Sequence, residues 1–257
     1  MEFIKSNFFN TTTQAVVGSN TVTVSNLLDR RKTFQYFTDT FNDDTTIASI
    51  TINFDQTETV SRIGLIGMNW KDFTAFYNGV TANTFSLSTT AATITSDFSL
   101  NSASSMFLIA TPVACTSVTF DVLSTQVANS EKALSHLYIS AQELEFERLP
   151  SSKNYKPKII PKDVIHRMAN GGIKRLYIDE KYSVSVKYKH ITEQFRNDLK
   201  TVYDKNTTLG YVPFGTSTAW DEIMFEAIWT GPFDFFEFSD DAAQAGFSGS
   251  IKLEESS

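Results

Sequence analysis

The chain is poor in the residues from which most catalytic and metal sites are built. It has one cysteine and three histidines in 257 residues. A lone Cys115 excludes an internal disulfide, and its place in the apolar segment 111–122 suits a small buried hydrophobe better than a reactive nucleophile. His136, His166 and His190 lie far apart, with no i,i+4 partner, HEXXH context or neighbouring Cys, so no zinc motif is present. Each reads as a surface or strand-edge residue. No Walker loop and no G-x-G-x-x-G occurs. Gly246-Phe247-Ser248-Gly249 lacks both the G-x-S-x-G spacing and the strand-to-helix setting of a nucleophile elbow. Long apolar runs are missing too. No segment approaches the ~18 residues of a membrane span, and the opening MEFIKSNFFNTTTQ lacks the apolar centre of a Sec-type signal peptide. The expectation is a soluble chain made in the cytoplasm. Positive charge is sparse and scattered: 22 Lys and Arg against 29 Asp and Glu leave a net −7. That disfavours non-specific nucleic-acid binding, which needs a basic face. Nothing singles out a carboxylate pair for glycoside hydrolysis, so no enzyme is expected.

Aromatic residues, by contrast, are plentiful. With 22 Phe and 41% apolar residues the chain can build a sizeable core, in two ordinary domains or one large all-β domain. The segment 46–79, TIASITINFDQTETVSRIGLIGMNWKDFTAFYNG, reads as two or three strands joined by polar loops. Ile50, Ile52 and Phe54 alternate with polar residues, the period of a strand with one wet face. Val60, Ile63, Leu65 and Ile66 form a denser run fit for a central strand, and Asn78-Gly79 signals a tight turn. Short alternating runs continue at 84–87, 106–110, 117–123, 134–139 and 144–146, with a Thr- and Ser-rich loop at 86–105. Together they predict an antiparallel sandwich or jelly roll over residues 1–148.

The stretch 149–162, LPSSKNYKPKIIPK, carries three prolines and reads as an extended, partly stiff linker. Composition changes after it. Runs at 164–168 and 173–178 flank Asn170-Gly171-Gly172, a hairpin signal. Tyr182, Val184, Val186 and Tyr188 line one strand face. Ile191, Phe195, Leu199, Val202 and Tyr203 then recur at helical spacing, with Thr192 as N-cap and Glu193 in the first turn. Strands are expected again at 209–214, 222–229, 233–238 and 247–253. Residues 163–257 therefore predict a small α+β domain, a β-barrel or sheet with one helix.

Two loops and one aromatic group are the candidate sites. Asp39, Asn42, Asp43 and Asp44 form an oxygen-rich loop of the kind that sometimes holds Ca²⁺, with Asp43 and Asp44 as the metal candidates, although a solvated turn explains them as well. Asn69, Trp70 and Asp72, with Lys71, stand at a strand end where an aromatic beside polar groups suits a sugar ring, unless Trp70 is buried. Among Trp220, Phe225, Trp229, Phe233, Phe235, Phe236 and Phe238, adjacent Phe235 and Phe236 must point to opposite faces. One of them then needs cover, which makes Trp229, Phe235 and Phe236 subunit-interface candidates.

The run 25–30 (SNLLDR), the 46–79 segment and SVTFDVLSTQVANSEKALSHLYI together resemble the galactose-binding-like (discoidin-like) jelly roll found in bacteriophage structural proteins. The likeness spans about residues 1–146, and the lone Cys115 departs from the cysteine pair of many discoidin-type sugar binders. The second half, through PFGTSTAWDEIMFEAIWTGPFDFFEF and the closing SGSIKLEES, resembles the domain shared by phage tail-tube, distal-tail and baseplate-hub proteins. What this implies is a virion component, a homo-oligomer set among other tail or baseplate proteins in a ring or adaptor near the tail tip, without catalysis. The alternative is a lectin-like carbohydrate-binding module that aids adsorption to host-surface glycans. Neither reading calls for nucleic acid, membrane or any cofactor beyond Ca²⁺. Residues 150–257 are expected to carry the subunit contacts, the sandwich lying outside.

Overall fold

The computed structural model describes residues 1–8, 14–17, 20–22, 27, 36–37, 43–89, 103–150, 153–168, 171–213, 224–237 and 246–256. In chain order the strands of the first half are β1 (Glu2–Ile4), β2 (Gln14–Val17), β3 (Asn20–Val22), β4 (Tyr36–Phe37), β5 (Ala48–Met68), β6 (Trp70–Tyr77), β7 (Leu87–Thr89), β8 (Ala103–Thr125), β9 (Ala133–Leu134), β10 (His136–Ser140) and β11 (Gln142–Glu145). The second half contributes β12 (Tyr155–Arg167), β13 (Ile173–Ile191), α1 (Glu193–Lys205), β14 (Leu209–Val212), β15 (Phe225–Trp229), β16 (Asp234–Glu237) and β17 (Phe247–Glu255). Among the described residues the protein is mainly antiparallel β with a single helix, and its sheets do not close into a barrel.

Two long strands organise the sandwich. β5 and β8 pair along most of their length; β2 and β10 flank β5, and β6 and β7 flank β8. The polar loops expected inside 46–79 are therefore not loops. Asp55, Gln56 and Thr57 stay in β5 as an exposed bulged stretch. There β5 runs from Asn53 to Glu58 while β8 runs only from Ser117 to Cys115, and β8 then makes up the difference between Val113 and Leu108. An irregular register bends a strand and changes which side chains face inward. Ile50, Ile52 and Phe54 are buried before the bend; Ile63 and Leu65 are buried after it, in the same core as Val118, Phe120 and Val122. The turn at Asn78-Gly79 forms as read, with φ of 55° and 65°.

The bend leaves Arg62, Gly64 and Ile66 on the opposite face, also buried. That face meets a second sheet, ordered β11-β1-β14-β15-β17-β13-β12, with β16 also on β17. Ile4, Ile66, Met106, Tyr138, Val212 and Met224 form a small apolar cluster between the two sheets. Gly210 is required there, since a Cβ would lie 2.4 Å from Ile4 Cγ1. Although they lie within 1–148, β1 and β11 sit in this second sheet. The 149–162 stretch read as linker becomes strand from Tyr155 onward, because Pro157 and Pro161 are tolerated on a sheet edge. The helix forms as its spacing predicts. Thr192 Oγ1 accepts the Phe195 N–H (3.1 Å), Asn206 closes it at φ 47°, and Phe195, Leu199 and Val202 are buried against the second sheet.

Candidate functional site

At one end of the sandwich, segments around Asp43, Asn69 and Asn129 converge. Asp43 Oδ1 accepts from the Thr45 N–H (2.8 Å), the Thr45 hydroxyl (2.8 Å) and the Thr46 N–H (2.6 Å). These bonds, the Thr45 hydroxyl foremost, hold its carboxyl down at about 2. Asp44 reaches across to the next loop. Its Oδ1 accepts from the Thr125 N–H (3.1 Å) and hydroxyl (3.2 Å), and its Oδ2 from the Asn129 N–H (3.3 Å). The Thr125 N–H is the main cause of its lowered pKa, with the Lys132 charge adding to it. Lys132 is fully buried beneath the same turn and donates to the carbonyls of Asp43 (2.7 Å) and Thr46 (3.2 Å).

Both aspartates expected as calcium ligands thus accept bonds that shape the loop, and a lysine ammonium supplies positive charge beside them. Among the described residues no group of three or more His, Cys, Asp or Glu is placed to hold a metal ion. Asp39 and Asn42 lie outside the described residues.

The sugar-site candidates separate. Asn69 is buried; its side chain donates to the Glu131 carbonyl (2.6 Å) and accepts the Ala133 N–H (2.8 Å), pinning the 126–133 segment. Trp70 is only 2% exposed, its ring 5.6 Å from Phe73 and 5.9 Å from Phe120, so no sugar ring can lie on it. Asp72 alone remains accessible. It accepts from the Ser124 hydroxyl (2.5 Å) and borders an open hollow of about 490 Å³ that also presents Lys71, Thr74, Asp121, Ile47 and Leu123.

Of the interface candidates, Trp229 packs against Tyr203, Phe233 and Phe3, with ring centroids at 5.2, 6.0 and 6.4 Å, and Phe235 is in the second core. Phe236 takes the opposite face of β16 and is 57% exposed, as adjacency on a strand requires. Trp220 and Phe238 lie outside the described residues.

Among the described residues, most of the strongly exposed aliphatic side chains cluster on one strand pair. β12 and the first part of β13 form a two-stranded arm in which Ile159, Ile160, Val164, Ile165, Ile173 and Leu176 are 39–65% exposed. Adjacent aliphatic pairs, Ile159-Ile160 and Val164-Ile165, were the available signal. On a strand, such pairs place apolar side chains on both faces.

No family model and no curated protein matches the chain. Among solved structures, about half of it is similar to CpGH89CBM32-6 produced by Clostridium perfringens, with a TM-score of 0.37 and 12% identity over 53% of this chain and 99% of that one. It is similar to a chain from the Streptococcus pneumoniae beta-galactosidase BgaA at a TM-score of 0.36 and 13% identity, over 54% and 98% respectively. Likeness at this level says nothing of ligand or partner.

Proposed function

We propose that this chain is a non-catalytic structural protein that assembles with further copies of itself, its sandwich carried on the second sheet. A bacteriophage tail or baseplate is the setting that its sequence resemblance implies. The supporting observation is the arm. A two-stranded ribbon by itself is marginally stable in water, and aliphatic side chains exposed on both of its faces favour cover by another chain. Sedimentation velocity of the purified full chain over a wide concentration range tests this. Species heavier than the 28.8 kDa protomer that grow with concentration are expected; a 28.8 kDa particle at every concentration overturns it.

A second reading, a lectin-like sandwich that aids adsorption to host glycans, is favoured by the hollow beside Asp72, where carboxylates and a lysine stand next to aliphatic and aromatic side chains. It predicts weak binding on a glycan array that is lost in Asp121→Ala. An array with no signal, with or without calcium, removes it.

A further inference from the structure

We infer that the hollow between β13, β17 and β16 binds an acidic sugar, a single ring bearing a carboxylate or a phosphate. This goes beyond the assembly reading. The site lies on the second sheet, apart from the hollow beside Asp72 in the sandwich.

Alternation sets the face. Val186 and Tyr188 on β13 and Ile251 and Leu253 on β17 belong to the second core, so Lys187, Lys189, Ser248 and Ser250 point away from it. Register then lines up the walls. Lys187 lies opposite Ser250, Ser250 lies opposite Asp234 on its other side, and Phe236 lies opposite Ser248. Two long cations thus stand on one wall, an aromatic ring and a carboxylate on the other, with short serine side chains between them. Two strand spacings put the walls roughly 10 Å apart across β17. The space between them is about 260 Å³. That is just under the ~300 Å³ at which ordinary ligand pockets begin, and it suits one ring.

Charge calls for an anion. Lys187 and Lys189 are exposed, and neither forms an ion pair with a described residue. Lys156 and Lys158 are exposed on the same face of β12, opposite Ser185 and Ser183. Lys252 already pairs with Glu254 at 2.9 Å. Four lysines against Asp234 leave this part of the face at +3, on a chain of net −7. A lysine ammonium is a compact charge that suits a carboxylate or a phosphate.

The other wall selects what carries the anion. Phe236 is 57% exposed and offers a flat apolar surface to the C–H face of a ring. Asp234 is exposed, and its carboxylate can only accept. The Ser248 hydroxyl donates to the Tyr188 carbonyl (3.1 Å) and keeps its lone pairs for an incoming donor. This wall therefore needs donors, and sugar hydroxyls are donors. An acidic peptide would set like charge against Asp234. A nucleic-acid strand needs a continuous basic groove that tracks its backbone, not a hollow for one ring. An acidic sugar satisfies both walls, its ring on Phe236, hydroxyls to Asp234 and Ser248, and acid group to Lys187 and Lys189.

Isothermal titration calorimetry of the purified full chain tests this with glucuronate, glucose 6-phosphate, glucose, inorganic phosphate and a tetraglutamate peptide. At least one acidic sugar should bind with a Kd at or below about 1 mM. Whichever binds identifies the acid group. Glucose and inorganic phosphate should each bind at least about tenfold more weakly, because each supplies half of the contact. Lys187→Ala with Lys189→Ala, and separately Phe236→Ala, should weaken the acidic sugar by at least about tenfold. All three side chains are exposed, and circular dichroism melting checks that the variants are folded. Asp121→Ala, in the sandwich hollow, should bind as wild type does. The inference is overturned if neither acidic sugar binds, or if glucose, phosphate or tetraglutamate binds as tightly. Wild-type affinity in either hollow variant, or loss of binding in Asp121→Ala, also overturns it. None of these results touches the assembly reading, which sedimentation decides.

Discussion

Arg62 and Glu2 form a buried, two-pronged ion pair that ties the sandwich to the second sheet. Arg62 Nε donates to Glu2 Oε1 at 2.7 Å and Nη2 to Oε2 at 2.6 Å, while Nη1 donates to the Ser61 carbonyl at 2.9 Å. The side chains are 7% and 10% exposed. Removing one partner leaves the other charge buried without its counter-ion. Glu2→Ala should therefore cost about 3–5 kcal/mol in urea unfolding, and Glu2→Leu paired with Arg62→Met should recover most of it. A single mutant as stable as wild type would show that the pair does not hold this junction.

Lys132 should matter for the loop end of the sandwich. Lys132→Met keeps the stem but leaves the carbonyls of Asp43 and Thr46 without this donor, a loss of about 1–3 kcal/mol. Because the loop is held by an ammonium, a chelator should leave the melting temperature of the wild type unchanged. A fall on adding the chelator would reveal a metal.

The Asp43 turn should respond to acid and not to mild alkali. Its folded pKa, about 2, lies below the ordinary 3.8, so its contribution is complete above pH 3.8 and is lost as pH falls towards 2. Carboxyl-carbon NMR should place the Asp43 midpoint near 2. Asp43→Asn should reduce the loss of loop order between pH 4 and 2. A midpoint near 3.8 would mean that the Thr45 and Thr46 bonds do not persist in solution.

Cys115 should be silent in the native protein. It is 1% exposed, and burial, with the Glu58 charge adding, pushes its thiol up to about 11. A thiol reagent at pH 8 should label it only after denaturant is added, with one equivalent then consumed. Prompt labelling of the folded chain would show that the β5–β8 bend opens.

Much of the local structure was legible because its signals are local. The alternation Tyr182-Val184-Val186-Tyr188, the Thr192 cap and the Asn78-Gly79 turn each depend on a few neighbouring residues. The candidate site was less so. Trp70 beside Asn69, Lys71 and Asp72 has the composition of a binding loop, and only the position of Phe73 and Phe120 around its ring makes it core.

By itself the sequence determined the β class and the helix, because side-chain period and capping act within a turn or a strand. Tertiary structure alone decided where the short strands went. A three-residue strand such as Glu2–Ile4 carries no pattern that selects a sheet, and the buried Arg62 and the cluster around Ile66 place it. It also decided that Pro157 and Pro161 belong to a strand edge and not to a linker. The arm beyond them reads in sequence like any hydrophobic hairpin, since exposure depends on what the rest of the chain fails to cover.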